Sequence, residues 1–410
     1  MKFYVIGITD HPQPFFPPEV LGIIRGGRVF SGGRRHHELV AHLLPDGAVW
    51  IDVTAPLDGV FRQYQASDCQ SIVVFASGDP LFFGFANTIR REMPGADITV
   101  FPSFNSLQML AHRLLLPYHD MRIVSLTGRP WPAFDRALIE RVAMIGVLTD
   151  RDHTPAAIAR RMMEYGYRDY TMHVGEHLGS PQEERLTTLT LEEAAQRTFG
   201  HPNCIILEAS HPLMPHPFGI PDAAFALLDG REKMITKMPI RLLTLQALEL
   251  AQRHVLWDIG FCTGSVSIEA RLCFPHLHVT AFEVRPECEA IIRENMRRHG
   301  APGIEIMMGD FRSVCREAIA RTASPDAIFI GGHGGHLKEI MQRAVDVLAP
   351  GGVIVMNSVS SPVVDQLTGH RPGSRQLWDD ACRELGLVQE PSLRIQLNDY
   401  NSIEILKCKT

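Results

Sequence analysis

Along this chain a short apolar run repeatedly stops at Gly, Ser or Asp, and a helical pattern takes over. "FYVIG", "SIVVFAS", "RIVSLTG", "HVLWDIG", "VTAFEV", "IEIMMGD" and "DAIFIGG" are the clearest cases. A strand covered on both faces reads as a nearly continuous apolar run, and a parallel neighbour can be reached only through a crossover, usually a helix. The pattern therefore predicts an α/β fold built on parallel sheets. With 410 residues the chain is long enough for two or three such domains. The pattern lapses between about 211 and 240, where "HPLMPHPFGIPDAAF" carries four prolines. This predicts a linker at 213–235 between domains at 1–212 and 236–410. After Pro391, "SLRIQLNDYNSIEILKCK" alternates apolar and polar residues around Asn-Asp-Tyr-Asn, the pattern of a two-strand hairpin.

Composition removes several function classes. The net charge of -6 leaves no basic stripe, so no nucleic-acid partner is expected. No apolar run approaches the ~20 residues of a membrane helix, and the first run is too short for a signal peptide, so no membrane partner is expected either. Eight cysteines form no C-x-x-C pair. Their scatter fits reduced thiols in a cytoplasmic protein and predicts neither a zinc site nor a disulfide framework.

"LWDIGFCTGSVSIEA", from residue 256, is a strand, a turn and a helix start. Gly260 and Gly264 allow tight backbone and close ligand approach, and the helix start offers free N–H groups. The next strand ends in Glu283, where a carboxylate can accept from both ribose hydroxyls. A nicotinamide dinucleotide and S-adenosylmethionine both fit so far. Asp258 just before the first glycine, the departure from G-x-G-x-x-G, and Asp310 at the end of a third strand favour S-adenosylmethionine. Asp258 is placed to hold a cationic amino-acid end, and Asp310 to meet adenine. Cys262 stands where a third glycine is usual. An intact loop predicts negative φ there, with the side chain turned from the ligand or packed as a small hydrophobe. After the fourth strand, "GGHGGH" puts bare backbone at Gly331 and Gly332 beside the ligand. His333 is a candidate general acid or base, or a solvent-facing loop residue.

These stretches, with "AFEVRPE", "GDF" and "PDAIFIGGHGG", resemble the decarboxylating precorrin methyltransferase domains of cobalamin biosynthesis. In the first half, "FSGGRRHHEL", "ASGDPLFFG", "PSFNSLQMLAHRL", "VSLTGRP" and "VGEHLGSPQEE" occur in an order similar to the tetrapyrrole methylase superfamily, in its precorrin C5-methyltransferase branch. The resemblance implies a two-lobed tetrapyrrole-methylase domain followed by a Rossmann-like class I methyltransferase domain. In the first, it places S-adenosylmethionine contacts at Gly7, Gly78, Asp79, Pro80, the Ser103–Ser106 loop and Gly128 beside Arg129. Asp79 is also a catalytic candidate there. Ser103 is a predicted N-cap, a job Asn105 and Ser106 can also do. Two departures are a first loop, "GITDHPQP", without the superfamily's glycine-proline signature, and Thr127 in place of a usual histidine.

The two halves in this order imply methylation of precorrin-6B at carbons 5 and 15. Carbon dioxide is lost from the carbon 12 acetate side chain, giving precorrin-8. The resemblance assigns carbon 5 to the first domain, and carbon 15 with decarboxylation to the second. It also implies a homo-oligomer. A substrate rich in carboxylates calls for arginine and lysine, and Arg34, Arg35, Lys237 and Arg241 are the candidates. No metal is expected. An RNA methyltransferase and a regulatory S-adenosylmethionine-binding protein stay open as alternatives.

Overall fold

Apolar side chains at alternate strand positions fall into two separate cores. That explains runs that are apolar throughout. In "SIVVFAS", Ile72, Val74 and Ala76 join one cluster with Phe3 and Val5, while Val73 and Phe75 join another with Ile6 and Phe30. A computed structural model describes residues 1–359, 373–397 and 402–409. The first sheet holds β1 (Lys2–Ile8), β2 (Val29–Gly32), β3 (Val49–Asp52), β4 (Ser71–Ser77) and β5 (Asp97–Phe101), all parallel, in the order β3-β2-β4-β1-β5. The second holds β6 (Arg122–Ser125), β7 (Met144–Leu148), β8 (Tyr170–Glu176), β9 (Arg185–Leu189) and β10 (Asn203–Ala209), in the order β6-β7-β10-β8-β9. Only β6 and β7 run parallel there; the other pairs are antiparallel. That departs from the purely parallel expectation. The pattern also missed β2, which is four residues long, and β8 and β9, which no crossover helix separates.

The third sheet holds β11 (Val255–Ile259), β12 (His278–Glu283), β13 (Ile304–Met308), β14 (Ala327–Ile330), β15 (Val353–Val359), β16 (Val388–Gln389), β17 (Leu393–Ile395) and β18 (Ile403–Lys409). Its order is β13-β12-β11-β14-β15-β18-β16, with β17 also on β18. It is parallel from β13 to β15 and antiparallel beyond. Leu256 and Phe329 feed one core; Val255, Trp257, Ile259 and Ile328 feed the opposite one. β17 and β18 pair as the predicted hairpin, Leu393 against Ile405. Its Asn-Asp-Tyr-Asn turn lies outside the described residues.

Two compact units result. One comprises Met1–Pro130, Val142–Met163 and Arg168–Leu213. The other comprises Trp131–Arg141, Glu164–Tyr167 and Met214–Thr410. The stretch predicted as a linker is not a free tether. Ile220, Phe225, Leu228 and Ile235 are buried in the second unit's core, and the prolines shape a strap of short 3-10 turns. No helix among the described residues is long and apolar enough to cross a membrane.

Candidate active sites

In the second unit the loop after β11 bends at Gly260 (φ +80°) and Gly264 (φ +75°). A Cβ at Gly260 would lie 2.8 Å from Gly332 N, so this loop and the one after β14 meet backbone to backbone. A Cβ at Gly264 would fall 2.4 Å from Ile292 Cγ1, behind the loop. Cys262 sits at φ +51°, which overturns the expected negative φ. The usual glycine there serves the left-handed backbone itself, and cysteine holds the same conformation under strain. Its N–H donates to Glu283 Oε2 at 3.1 Å, and its thiol is in hydrogen-bonding contact with Cys288.

These loops open on a cleft of about 960 Å³ lined by Asp258, Gly260, Glu283, Asp310, Gly331, Gly332, His333 and Lys237, among others. Asp258 is 1% exposed. Its Oδ2 accepts from Ser267 Oγ at 2.6 Å, and Oδ1 has no partner among the described residues. Burial pushes its carboxyl up to about 7, and the Glu283 charge adds to this. A buried acceptor left unpaired asks for a donor, and the ammonium of an amino-acid ligand supplies one. With Gly260 too close to the Gly332 backbone to carry a side chain, and open space beside Gly332, the residues present fit S-adenosylmethionine.

Glu283, at the end of β12, is occupied on both oxygens. Oε1 accepts from Val284 N and Arg285 N at 2.8 and 3.1 Å; Oε2 accepts from Cys262 N and, at 2.6 Å, Arg285 Nη2. Burial alone would raise its carboxyl, but the Arg285 hydrogen bonds outweigh that and hold it below the usual range. Accepting from a ribose thus means that the guanidinium gives way. Asp310 caps the helix Phe311–Arg321 through Arg312 N at 2.9 Å, and the Arg312 guanidinium bridges it to Glu339. Neither arginine is among the site residues that the sequence singles out. Their signal is a shared spacing, acid-x-Arg at two adjacent strand ends. His333 Nδ1 accepts from Gly335 N at 3.2 Å, while burial and then His336 lower its pKa. The ring is therefore neutral with its proton on Nε2, placed to donate rather than accept.

Of the substrate candidates here, Lys237 donates to Glu232 O at 2.9 Å at the cleft edge. Arg241 corrects the expectation. It is 0% exposed, with Nε on Glu269 at 3.0 Å, Nη1 on Asp222 and Thr236 O, and Nη2 on Ile220 O. A guanidinium engaged by protein on all three nitrogens serves the fold, not a substrate.

In the first unit three strand-end loops converge. A Cβ at Gly7 would stand 1.9 Å from Gly78 O and 2.7 Å from Ser103 N. Only glycine permits that crossing, even without the glycine-proline signature. The cleft beside it, about 370 Å³, is lined by Gly78, Ser106, Arg35, His36 and Ser77, with Phe82, Phe83 and Phe104 at one side. Asp79 Oδ1 accepts from Leu81 N at 2.8 Å, closing its own turn at Pro80. Asp79, Pro80, Ser103 and Gly128 do not line this cleft. Gly128 (φ +61°) donates to Asp150 Oδ2 at 2.9 Å, and Thr127 to Thr149 O at 3.1 Å. The N-cap is Asn105, not Ser103: it accepts from Gln108 N at 2.9 Å, and the Gln108 side chain returns the bond. Asn105 is favoured because its backbone is the last non-helical residue before the turn.

Arg34 faces solvent on Glu38, whereas Arg35 reaches Asp10 and donates to Ser77 Oγ at 2.9 Å. His36 Nδ1 accepts from Gly33 N, and burial takes its pKa down to about 4. Its Nε2–H therefore also donates to Ser77 Oγ, at 2.9 Å. With both lone pairs taken, Ser77 has its own proton left to give to a ligand. His36 and Ser77 lie inside the stretches "FSGGRRHHEL" and "ASGDPLFFG", but only the fold brings the two together. Among the described residues no group of three His, Cys, Asp or Glu side chains is arranged to hold a metal ion.

Residues 25–195 match the family model for tetrapyrrole (corrin/porphyrin) methylases, and 228–370 match the precorrin methyltransferase domain. A precorrin-6Y C(5,15)-methyltransferase [decarboxylating] from Sinorhizobium sp is 34% identical over 374 residues, 89% of this chain and 86% of the relative. The chain belongs to the decarboxylating precorrin-6Y C5,15-methyltransferase family. The Salmonella typhimurium cobalt-precorrin-6B C(15)-methyltransferase (decarboxylating) is 40% identical over 132 residues, 32% of this chain and 66% of that one. A crystal structure of a precorrin-6y C5,15-methyltransferase from Geobacter metallireducens covers 48% of this chain and 100% of its own, at 29% identity and TM-score 0.39. The protein is thus a decarboxylating C-methyltransferase that uses S-adenosylmethionine.

Proposed function

We propose that this chain methylates precorrin-6B at carbons 5 and 15 and removes the carboxyl of the carbon 12 acetate, giving precorrin-8. The observation that carries this reading is the presence of two separate glycine-walled clefts, one in each unit. Residues 236–410, with the strap 213–235 packed on them, take carbon 15 and the decarboxylation; residues 1–212 take carbon 5. A cytoplasmic homo-oligomer completes the proposal.

The bound S-adenosylmethionine supplies an electrophilic methyl. The meso carbons of a reduced tetrapyrrole are enamine-like nucleophiles, so the protein's work is positioning and proton movement. In the second unit Asp258 holds the ammonium, Glu283 the ribose and Asp310 the adenine edge. The backbone at Gly331 and Gly332 leaves room for the macrocycle, and His333 Nε2–H donates to it. Decarboxylation breaks the bond between the acetate methylene and its carboxyl; carbon dioxide leaves, the electron pair passes into the conjugated ring, and a proton returned to the methylene carbon leaves a methyl group. In the first unit Gly78 and Ser106 face the donor site and Gly7 lets their loops meet, while Asp79 and Pro80 hold the turn after β4, and Ser103 and Gly128 shape the loops behind it. Arg35 and Ser77 serve substrate oxygens, with Arg34 an outer contact. Lys237 has the same role at the second cleft. The test is product analysis with carbon-13-methyl S-adenosylmethionine: two labelled methyls and one carbon dioxide per macrocycle are expected. Methyl transfer to RNA, or binding without turnover, overturns the proposal.

A further inference from the structure

Phe83 is held in a conformation that its own residue type disfavours. Its φ is +53°, in the left-handed region. The turn Asp79–Gly84 demands this: Phe82 N donates to Asp79 O, Asn87 Nδ2 to Leu81 O, and Ala86 N to Pro80 O as the next helix begins. Glycine at 83 would make the same turn without strain. Burial does not compensate phenylalanine, since the residue is 47% exposed. It stands at the cleft with Phe104, 58% exposed, and beside Leu81, 53% exposed. Across one ring face lies the Arg129 guanidinium, 5.1 Å from the centroid, from the loop after β6. Arg129 Nη1 is steadied by Ser125 Oγ at 2.7 Å; Nε and Nη2 have no partner among the described residues. A strained, exposed aromatic with a stacked, donor-rich cation over it at a cleft mouth is a recognition device rather than a packing solution.

We propose that Phe83 and Arg129 position the macrocycle for carbon 5 methylation: the ring packs on the conjugated face, and the guanidinium pairs with a peripheral carboxylate. This rests on reading that cleft as the carbon 5 site. Ring-on-ring contact fits a flat conjugated substrate, and a planar fork fits its acetate or propionate groups. The residues act by orientation and take no part in bond making.

The test uses the full chain with precorrin-6B and carbon-13-methyl S-adenosylmethionine, following the carbon 5 and carbon 15 methyls separately by NMR. Phe83→Gly relieves the backbone, so its thermal midpoint should hold or rise. Its apparent KM for carbon 5 methylation should nevertheless rise at least tenfold, with carbon 15 methylation and carbon dioxide release unchanged. Phe83→Tyr should restore the KM. Arg129→Gln should raise it severalfold, and Arg129→Lys less. An unchanged KM for Phe83→Gly overturns the inference alone, and so does a fall in stability, which would assign the ring to packing. A wild-type chain that leaves carbon 5 unmethylated overturns the reading of the cleft as well.

Discussion

Cys262 shows what one side chain costs when the backbone has already been decided. Left-handed backbone costs an L-residue roughly 1–2 kcal/mol, and glycine's extra freedom in the unfolded chain returns about 0.5–1 kcal/mol of that. Cys262→Gly should therefore gain a few tenths to about 1 kcal/mol, a rise of a few degrees in the second unit's melting temperature. Cys262→Ala should change little, and both should keep S-adenosylmethionine affinity within a few-fold, because the bond to Glu283 comes from the backbone N–H. A lower melting temperature for Cys262→Gly would show that the thiol's packing outweighs the strain. Asp258 yields a pH prediction. Its folded pKa of about 7 lies above the unfolded carboxyl value, so the folded state holds the proton between about 4 and 7, and its share of stability is lost as pH rises through 7. An ammonium bound there favours the carboxylate, so binding releases that proton. Affinity should rise about tenfold from pH 6 to pH 8 and level off. Asp258→Asn should bind more weakly and lose the slope. Calorimetry in buffers of different ionisation enthalpy would count the proton; a flat wild-type profile would remove Asp258 from the ammonium site. Glu283 and Asp310 were legible in the sequence because a strand end and a glycine turn are local patterns. Arg285 and Arg312 do not stand out there, because what matters about them is which carboxylate they occupy in the folded chain.

The strap before the third sheet is the element the sequence described least well. Prolines spaced every few residues read as a linker, yet its backbone is wired into the unit behind the glycine loop. Gly219 and Ile220 donate to Glu269, and Ala226 donates to Asn295 Oδ1, while Asn295 Nδ2 donates to Thr263 O. Arg241 joins strap and helix by holding Asp222, Ile220 O and Glu269 together. None of these partners is near Arg241 in a periodic pattern, so a buried structural cation and a substrate-binding one look alike in the sequence. Arg241→Met leaves the Glu269 carboxylate buried without its cation, which costs about 3–5 kcal/mol. The second unit's melting temperature should fall on the order of 10 °C. Arg241→Met with Glu269→Leu should recover part of that, since removing both charges removes the desolvation penalty. A single variant that melts like wild type would show that the strap is held by apolar burial alone. The antiparallel pairs of the second sheet failed to show in the sequence for a related reason: an apolar run reports that a strand is covered, not which way its neighbour runs.

At the scale of the molecule, the described residues form three sheets with no strand shared between the two units, and those that line each cleft all belong to its own unit. The chemistry should then be divisible by single substitutions in the intact chain. At Gly260 a methyl group meets Gly332 N at 2.8 Å on a backbone of φ +80°. The left-handed backbone alone costs roughly 1–2 kcal/mol, about tenfold or more in affinity if the loop opens to relieve it. Gly260→Ala should therefore suppress carbon 15 methylation and carbon dioxide release together. Carbon 5 methylation of a macrocycle already methylated at carbon 15 should stay within a few-fold of wild type. In the first unit Ser77→Ala removes a cleft hydroxyl whose proton is left for a ligand, and should lower carbon 5 methylation while leaving carbon dioxide release intact. Label counts per macrocycle and trapped carbon dioxide, measured on the same preparation, read both effects at once. If Gly260→Ala abolishes carbon 5 methylation of the pre-methylated macrocycle while its melting curve matches wild type, the two clefts do not work independently. The assignment of one reaction to each would then have to give way to a shared site.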